Sequence, residues 1–225
     1  HELGAAQAGR RVAAVNESHP LGSPYNFYTW SEQLVDFVQE VAGGDKQCTL
    51  VANSIGSISA LQAAIDKPEL FNGIAIVNPN FRELHTAEQP ALLQPITSAV
   101  QAALRRYGQP LFDALAKPAT VKSILNEPYA DSSAVTDELV DVLLQPLLTS
   151  GSTDVVFDTL SYSAGPLPEV LLADIRLPVL VCYGDLDPWT PAARVRALER
   201  FKCVTRVECV AGAGHCPHDE SPAKV

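Results

Sequence analysis

The chain has no methionine, few basic residues and no apolar run of the roughly 18 residues that a membrane helix needs. Nothing in it reads as spanning a bilayer, which leaves peripheral membrane association open. Sixteen Lys and Arg against twenty-six Asp and Glu give a net charge of −10. Phosphate backbones are held by clustered cations, and here the cations are scattered, with Arg105-Arg106 only a pair on a helix face, so nucleic acid is not an expected partner. The chain starts at His1 without methionine and reads as processed or as a piece of a longer protein, any targeting peptide lying outside it. Its five cysteines, Cys48, Cys182, Cys203, Cys209 and Cys216, are odd in number and lack a disulfide framework. They read as free thiols in a reducing compartment, with Cys182 a small hydrophobe inside a strand.

Cofactor signals are missing as well. No Gly-x-Gly-x-x-Gly follows a strand and no Gly-x-x-x-x-Gly-Lys-Ser/Thr occurs, so no nucleotide cofactor is expected. Cys203, Cys209, His215, Cys216 and His218 lie close in sequence but contain no Cys-x-x-Cys pair. No metal is expected there either, and His215 has a better use.

The 225 residues, 47% hydrophobic, suffice for one large core, and a mean hydropathy of +0.07 fits a soluble globular chain. Strands are expected over residues 11–15, 48–52, 73–77, 178–183 and 204–210, and helices over 26–41, 55–65 and 192–200. In the first helix Trp30, Leu34, Phe37, Val38 and Val41 recur at helical spacing, and Gly43-Gly44 stops it. Between residues 81 and 165 strand signals vanish. Helix-length stretches at 92–107, 111–116, 120–126, 135–144 and 153–161 follow one another, punctuated by Pro110, Pro118, Pro128 and Pro146. Alternating strands and helices imply an α/β fold with a parallel sheet. The helical block implies a cap over the strands' carboxyl ends, where ligands bind in open α/β sheets. The expected division is residues 1–80 and 169–225 for the core and 81–168 for the cap.

Three segments carry chemistry. Val51-Ala52-Asn53-Ser54-Ile55-Gly56-Ser57 sets a serine between a strand and a helix with small residues two positions away on either side, the pattern of a nucleophile elbow. A serine that merely N-caps the helix is the competing reading. Tyr183-Gly184-Asp185-Leu186-Asp187-Pro188-Trp189 offers two acids after a strand. Asp187 is favoured over Asp185, because Pro188 biases its backbone to an extended conformation and fixes its side-chain direction. Gly212-Ala213-Gly214-His215 closes the last strand with a histidine, His218 being its rival. Ser, acid and His in that order, each on a turn after a strand, is the chain order of an α/β-hydrolase. Ser54 would attack, His215 would take its proton, Asp187 would hold the ring, and the Ile55 amide would help bind the oxyanion. The apolar positions Leu92, Leu93, Ile96, Leu143, Leu144, Leu147, Leu148, Val155, Val156 and Phe157 are candidates for packing or for a lipophilic pocket.

At these residues the chain resembles one branch of the α/β-hydrolases, the plastid chlorophyll dephytylases and pheophytinases. The likeness rests on Pro24-Tyr25-Asn26-Phe27-Tyr28-Thr29-Trp30, the Ser54 and Asp187 segments, and above all Gly212-Ala213-Gly214-His215-Cys216-Pro217-His218-Asp219-Glu220. The resemblance implies a chloroplast esterase on or near thylakoids, releasing phytol from chlorophyll or pheophytin with Ser54, Asp187 and His215 and no cofactor. The chain departs from the pattern in Ala52 for glycine and in Asn16 where an acid often stands. The strand and His-Gly oxyanion loop before Val12 and the terminal helix are expected to be missing. Two alternatives remain: another small-ester or C–C bond hydrolase, and a non-catalytic binding protein of the same fold.

Overall fold

A computed structural model of the chain describes residues 22–43, 46–82, 90, 92–162 and 164–225. The strand expected at 11–15, with Asn16, His1, His19 and His85, lies outside the described residues. Helix α1 (Phe27–Glu40) precedes β1 (Cys48–Asn53), which turns into α2 (Ile55–Asp66) and then β2 (Phe71–Val77). Five helices follow: α3 (Gln94–Tyr107), α4 (Gln109–Leu115), α5 (Pro118–Leu125), α6 (Asp137–Leu147) and α7 (Ser152–Ser161). The chain returns through α8 (Pro168–Asp174) to β3 (Val179–Gly184), α9 (Ala192–Arg196), β4 (Val204–Val210) and the one-turn α10 (Pro217–Glu220). The four strands pair in parallel in the order β1-β2-β3-β4. This is an α/β fold whose sheet is capped by helices inserted between β2 and β3.

The register sets the level of every turn at the carboxyl edge. Asn53 pairs with Val77, Val77 with Cys182, and Cys182 with Glu208. The segments that follow β1, β2, β3 and β4 therefore leave the sheet side by side.

Burial differs between the strands. Strand β3 is buried nearly throughout, but Val51 of β1 is 74% exposed and β4 is covered at only some positions. Among the described residues β1 and β4 are the outer strands, so neither is enclosed on both sides as β2 and β3 are. In α1 the Asn26 side chain accepts the Tyr28 and Thr29 amides, a capping arrangement that fixes the helix start. Phe27, Ser31, Val35 and Val38 face the core, while Phe37 and Val41 face outward. Helix α2 is buried on nearly all sides, and α8 packs against it. Helix α8 carries no sequence signal beyond Pro168, which opens it where a missing N–H costs nothing. Helix α6 runs through Pro146 rather than ending before it, starting from Thr136, whose hydroxyl accepts the Leu139 amide.

The inserted helices have a small core of their own, Val121, Val135, Val140 and Leu144, with Leu125, Tyr129 and Leu147 packed on it. Apolar faces of short helices leave water by packing on each other. Leu144 and Leu147 are spent in that way, and the Phe157 ring lies 6.3 Å from that of Phe112. All five cysteines are free thiols.

Candidate functional site

Ser54 stands between β1 and α2 with φ 53° and ψ −124°. Its amide donates to the Val77 carbonyl at 3.0 Å, and its own carbonyl accepts the Ser57 amide at 3.0 Å and the Asn80 amide at 3.4 Å. A capping serine is extended and accepts a helix amide with its hydroxyl. Ser54 does neither, which removes the capping reading. A positive φ at a non-glycine residue is strained, and it turns the side chain away from the path of the helix. The alanine at position 52 is tolerated because the approach to Gly56 is loose: a Cβ added there would lie 3.9 Å from that of Ala52. The first amide of α2 belongs to Ile55, and amides of an opening helical turn lack partners within the helix.

His215 and Asp187 meet. His215 Nδ1 lies 2.7 Å from Asp187 Oδ2, with the imidazole 4% exposed. The other carboxylate oxygen accepts the amides of Trp189 at 2.8 Å and Thr190 at 3.1 Å. Burial alone would raise the Asp187 carboxyl, but the His215 bond, the Trp189 amide, the imidazole's charge and the Thr190 bond together hold it below the usual carboxylate range. An ionised carboxylate only accepts, so Nδ1 carries a proton, and in the neutral ring Nε2 is the nitrogen with the lone pair. Asp185 does something else: its Oδ1 accepts the Gly212 amide at 2.6 Å and fixes the turn after β4. His218 is exposed on α10. The Trp189 ring covers the imidazole, centroids 5.0 Å apart.

The two glycines of the histidine turn have different causes. Gly212 has φ +77° with open space around it. Gly214 is flanked tightly, so that a Cβ would meet the Pro128 carbonyl at 2.2 Å.

Several positioning residues escaped the sequence reading. Asn78, fully buried with φ 43°, donates through Nδ2 to the carbonyls of Gly214 at 3.0 Å and His215 at 2.8 Å. Its Oδ1 accepts the Gly184 amide at 3.0 Å, so one side chain joins the ends of β2 and β3 to the histidine loop. Asn53, next to the serine, donates to the His215 carbonyl at 3.1 Å and so links the serine turn to the same loop. Among the described residues no hydrogen bond joins the Ser54 hydroxyl to the imidazole itself. Glu220 accepts the amides of Gly214, Cys216, Ala130 and Asp131. Tyr129 donates to Asp219 at 2.8 Å. These contacts give the acids of the Asp219-Glu220 pair their use. The Cys216 thiol next to His215 is pushed up, chiefly by burial, and is not a ready nucleophile.

A cavity of about 400 Å³ opens beside the serine turn, lined by Phe27, Trp30 and Ile55, by Phe81 and Arg82 after β2, by Leu160 and Tyr162, and by Trp189. None of the ten apolar cap positions singled out from the sequence lines it; Thr159, Leu160 and Tyr162 do. Helical periodicity marks an apolar face without saying what covers it.

The profile of the alpha/beta hydrolase family matches residues 1–225. The chain belongs to the alpha/beta hydrolase family. This alpha/beta hydrolase is 26% identical over 218 residues to a protein named "Pheophytinase, chloroplastic" from Arabidopsis thaliana, a match covering 87% of this chain and 42% of that one. The chain thus spans less than half the length of that relative. Among solved structures it is similar to a 2-hydroxy-6-oxo-6-phenylhexa-2,4-dienoate hydrolase from Rhodococcus sp. strain RHA1, with TM-score 0.64, 19% identity, and coverage of 91% of this chain and 70% of that one. It is similar too to a thermophilic esterase from Thermogutta terrifontis, with TM-score 0.64, 18% identity, and coverage of 88% and 68%. At such identities the likeness is one of fold. Among the described residues no group of His, Cys, Asp and Glu is arranged to hold a metal, and no helix is long and apolar enough to cross a membrane.

Proposed function

We propose that this alpha/beta hydrolase is a serine-dependent carboxylic-ester hydrolase with Ser54, His215 and Asp187 as its triad. The observation that carries the reading is the left-handed Ser54, set on a strand-to-helix turn at the sheet edge that also bears the bonded His215–Asp187 pair. His215 Nε2 takes the serine proton as Oγ attacks the ester carbonyl, and Asp187 steadies the imidazolium that forms. The Ile55 amide is one donor to the oxyanion. The imidazole then hands its proton to the leaving alcohol, and a water activated by the same ring frees the acid.

For the substrate, a small ester, or a C–C bond flanked by a carbonyl, is favoured by the cavity. Its 400 Å³ lies toward the lower end of the range of about 300–1,000 Å³ common for small-ligand pockets. A second reading, the phytyl ester of chlorophyll or pheophytin in a chloroplast, is favoured by the 26% identity to pheophytinase and by the Gly212 to Glu220 segment.

A fluorophosphonate probe tests the chemistry: labelling at Ser54 that is lost in Ser54→Ala is expected, and absence of labelling in the full-length protein would favour a non-catalytic ligand binder. Comparing 4-nitrophenyl esters with phytylated pigment tests the substrate, and release of chlorophyllide or pheophorbide at the higher kcat/KM would select the second reading.

A further inference from the structure

Arg82 lines the cavity, and among the described residues no acid neutralises it. It follows β2 by five residues, with φ 57°, and its amide donates to Asn80 Oδ1 at 2.8 Å. Asn80 in turn donates to the carbonyl of Ser54, so the cation is rooted two residues from a direct contact with the serine. Its guanidinium carbon is 4.7 Å from the ring centroids of both Phe27 and Tyr162, which are 5.1 Å from each other. The cation therefore sits in the notch of an aromatic pair rather than between two parallel plates. One of its N–H groups donates to the Ala164 carbonyl. A guanidinium has five such groups in a planar fork.

Two other arginines are treated differently. Arg194, over the Phe81 ring, pairs with Glu169 at 3.0 Å, and Arg105 pairs with the buried Asp158 at 2.6 Å. Among the described residues no carboxylate pairs with Arg82. Burial brings its guanidinium down to about 10, against a smaller opposing influence of Tyr162, so it is still charged at neutral pH. A half-buried charge without a counter-charge is costly unless something anionic meets it.

We propose that Arg82 recognises a carboxylate carried by the substrate, so that the ester preferred in this cavity bears a free carboxylate on the part lying under the helical cap. The assignment rests on the ester-hydrolase reading for its reaction but not for its binding. The planar fork suits a carboxylate, and the Phe27 and Tyr162 rings hold the fork's orientation.

The test uses the full chain and two esters of equal length, 4-nitrophenyl pentanoate and mono-4-nitrophenyl glutarate, in which a carboxylate replaces the terminal methyl. The native chain is expected to favour the glutarate ester. In Arg82→Gln the ratio of the two kcat/KM values is expected to fall about 10- to 100-fold, the effect of losing a charge-assisted pair, and Arg82→Lys to restore part of it. An equal loss for both esters, or no preference in the native chain, would overturn the assignment and leave Arg82 a strut between Ala164 and the loop after β2.

A second measurement needs no turnover. Both tryptophans of the chain, Trp30 and Trp189, line the cavity, so titration with free glutarate is read by their fluorescence. Arg82→Gln should weaken that binding at least about tenfold, and unchanged binding would reject the proposal. If neither ester is cleaved and Ser54 resists the fluorophosphonate, the hydrolase reading fails while the glutarate titration still decides on Arg82.

Discussion

Asn78 Nδ2 donates to the His215 carbonyl at 2.8 Å, although the two residues stand 137 positions apart. With its oxygen on the Gly184 amide and its nitrogen shared with the Gly214 carbonyl, the side chain is satisfied on both ends. Asn78→Asp puts an acceptor against two carbonyls. It is expected to destabilise the fold by about 2–3 kcal/mol, since buried groups are left unpaired. Urea unfolding would measure this, and a change under about 0.5 kcal/mol, the scale of an ordinary surface substitution, would show that the network is not needed.

Ser54 carries backbone strain and, under the proposed function, the nucleophile. Ser54→Gly should abolish turnover yet raise stability by up to about 1 kcal/mol, because glycine relieves the positive φ at some cost in unfolded-state entropy. A Tm higher than native together with no 4-nitrophenyl ester hydrolysis is the expected pair of results. A lower Tm would mean that the backbone there is not strained.

The two acids of the loop after β3 separate cleanly. Asp187→Asn removes the charge that sets the tautomer of His215, and kcat is expected to fall about 10⁴-fold, as when a triad acid is replaced by its amide. Asp185→Asn weakens one bond to Gly212 and should cost no more than about tenfold, the equivalent of roughly 1.4 kcal/mol. Similar losses from both would place the acid's role on the loop rather than on Asp187.

The depressed Asp187 carboxyl also links to pH. It titrates lower in the folded chain than in the unfolded one, where an aspartate ionises near about 3.9. Its ionisation thus stabilises the folded state fully above that unfolded value, and the benefit disappears as pH falls through the folded one. Urea midpoints between pH 7 and pH 3 should drop more steeply for the native chain than for Asp187→Asn. Parallel curves would contradict the linkage.

Glu220→Gln tests the contacts that lock the histidine loop. The glutamate accepts Ala130 at 2.8 Å and Gly214 at 3.0 Å, and the amide cannot accept at both oxygen positions. A stability loss of about 1–2 kcal/mol is expected from weakening charge-assisted bonds. The fall in kcat should exceed the fall in substrate affinity, and the reverse split would make Glu220 a binding residue.

Much of this was legible in the chain. The strand before Asp185, the elbow at Ser54 and the glycine approach to His215 are local patterns, each confined to a few residues. The sequence could not tell an outer strand from an inner one, because Val51 and Val181 are the same residue in similar runs, and only sheet order leaves the first exposed and the second buried. Asn78 carries no periodic signal; the Asn78-Pro79 pair after β2 was the one hint of a special turn. Arg82 was unreadable for another reason. What surrounds a cation depends on groups about 80 residues away, here the Tyr162 ring and the Ala164 carbonyl. The cap positions meet the same limit, since apolar spacing is shared by residues that pack, as Leu144 and Leu147 do, and residues that line a space.

The short stretch around Pro128 has a mechanical consequence. Its carbonyl takes the His215 amide at 2.7 Å, Ala130 and Asp131 hang on Glu220, and Glu127 holds the Trp189 indole at 3.1 Å. Displacing this stretch to admit a larger guest would break the bonds that hold His215 and Trp189 in place.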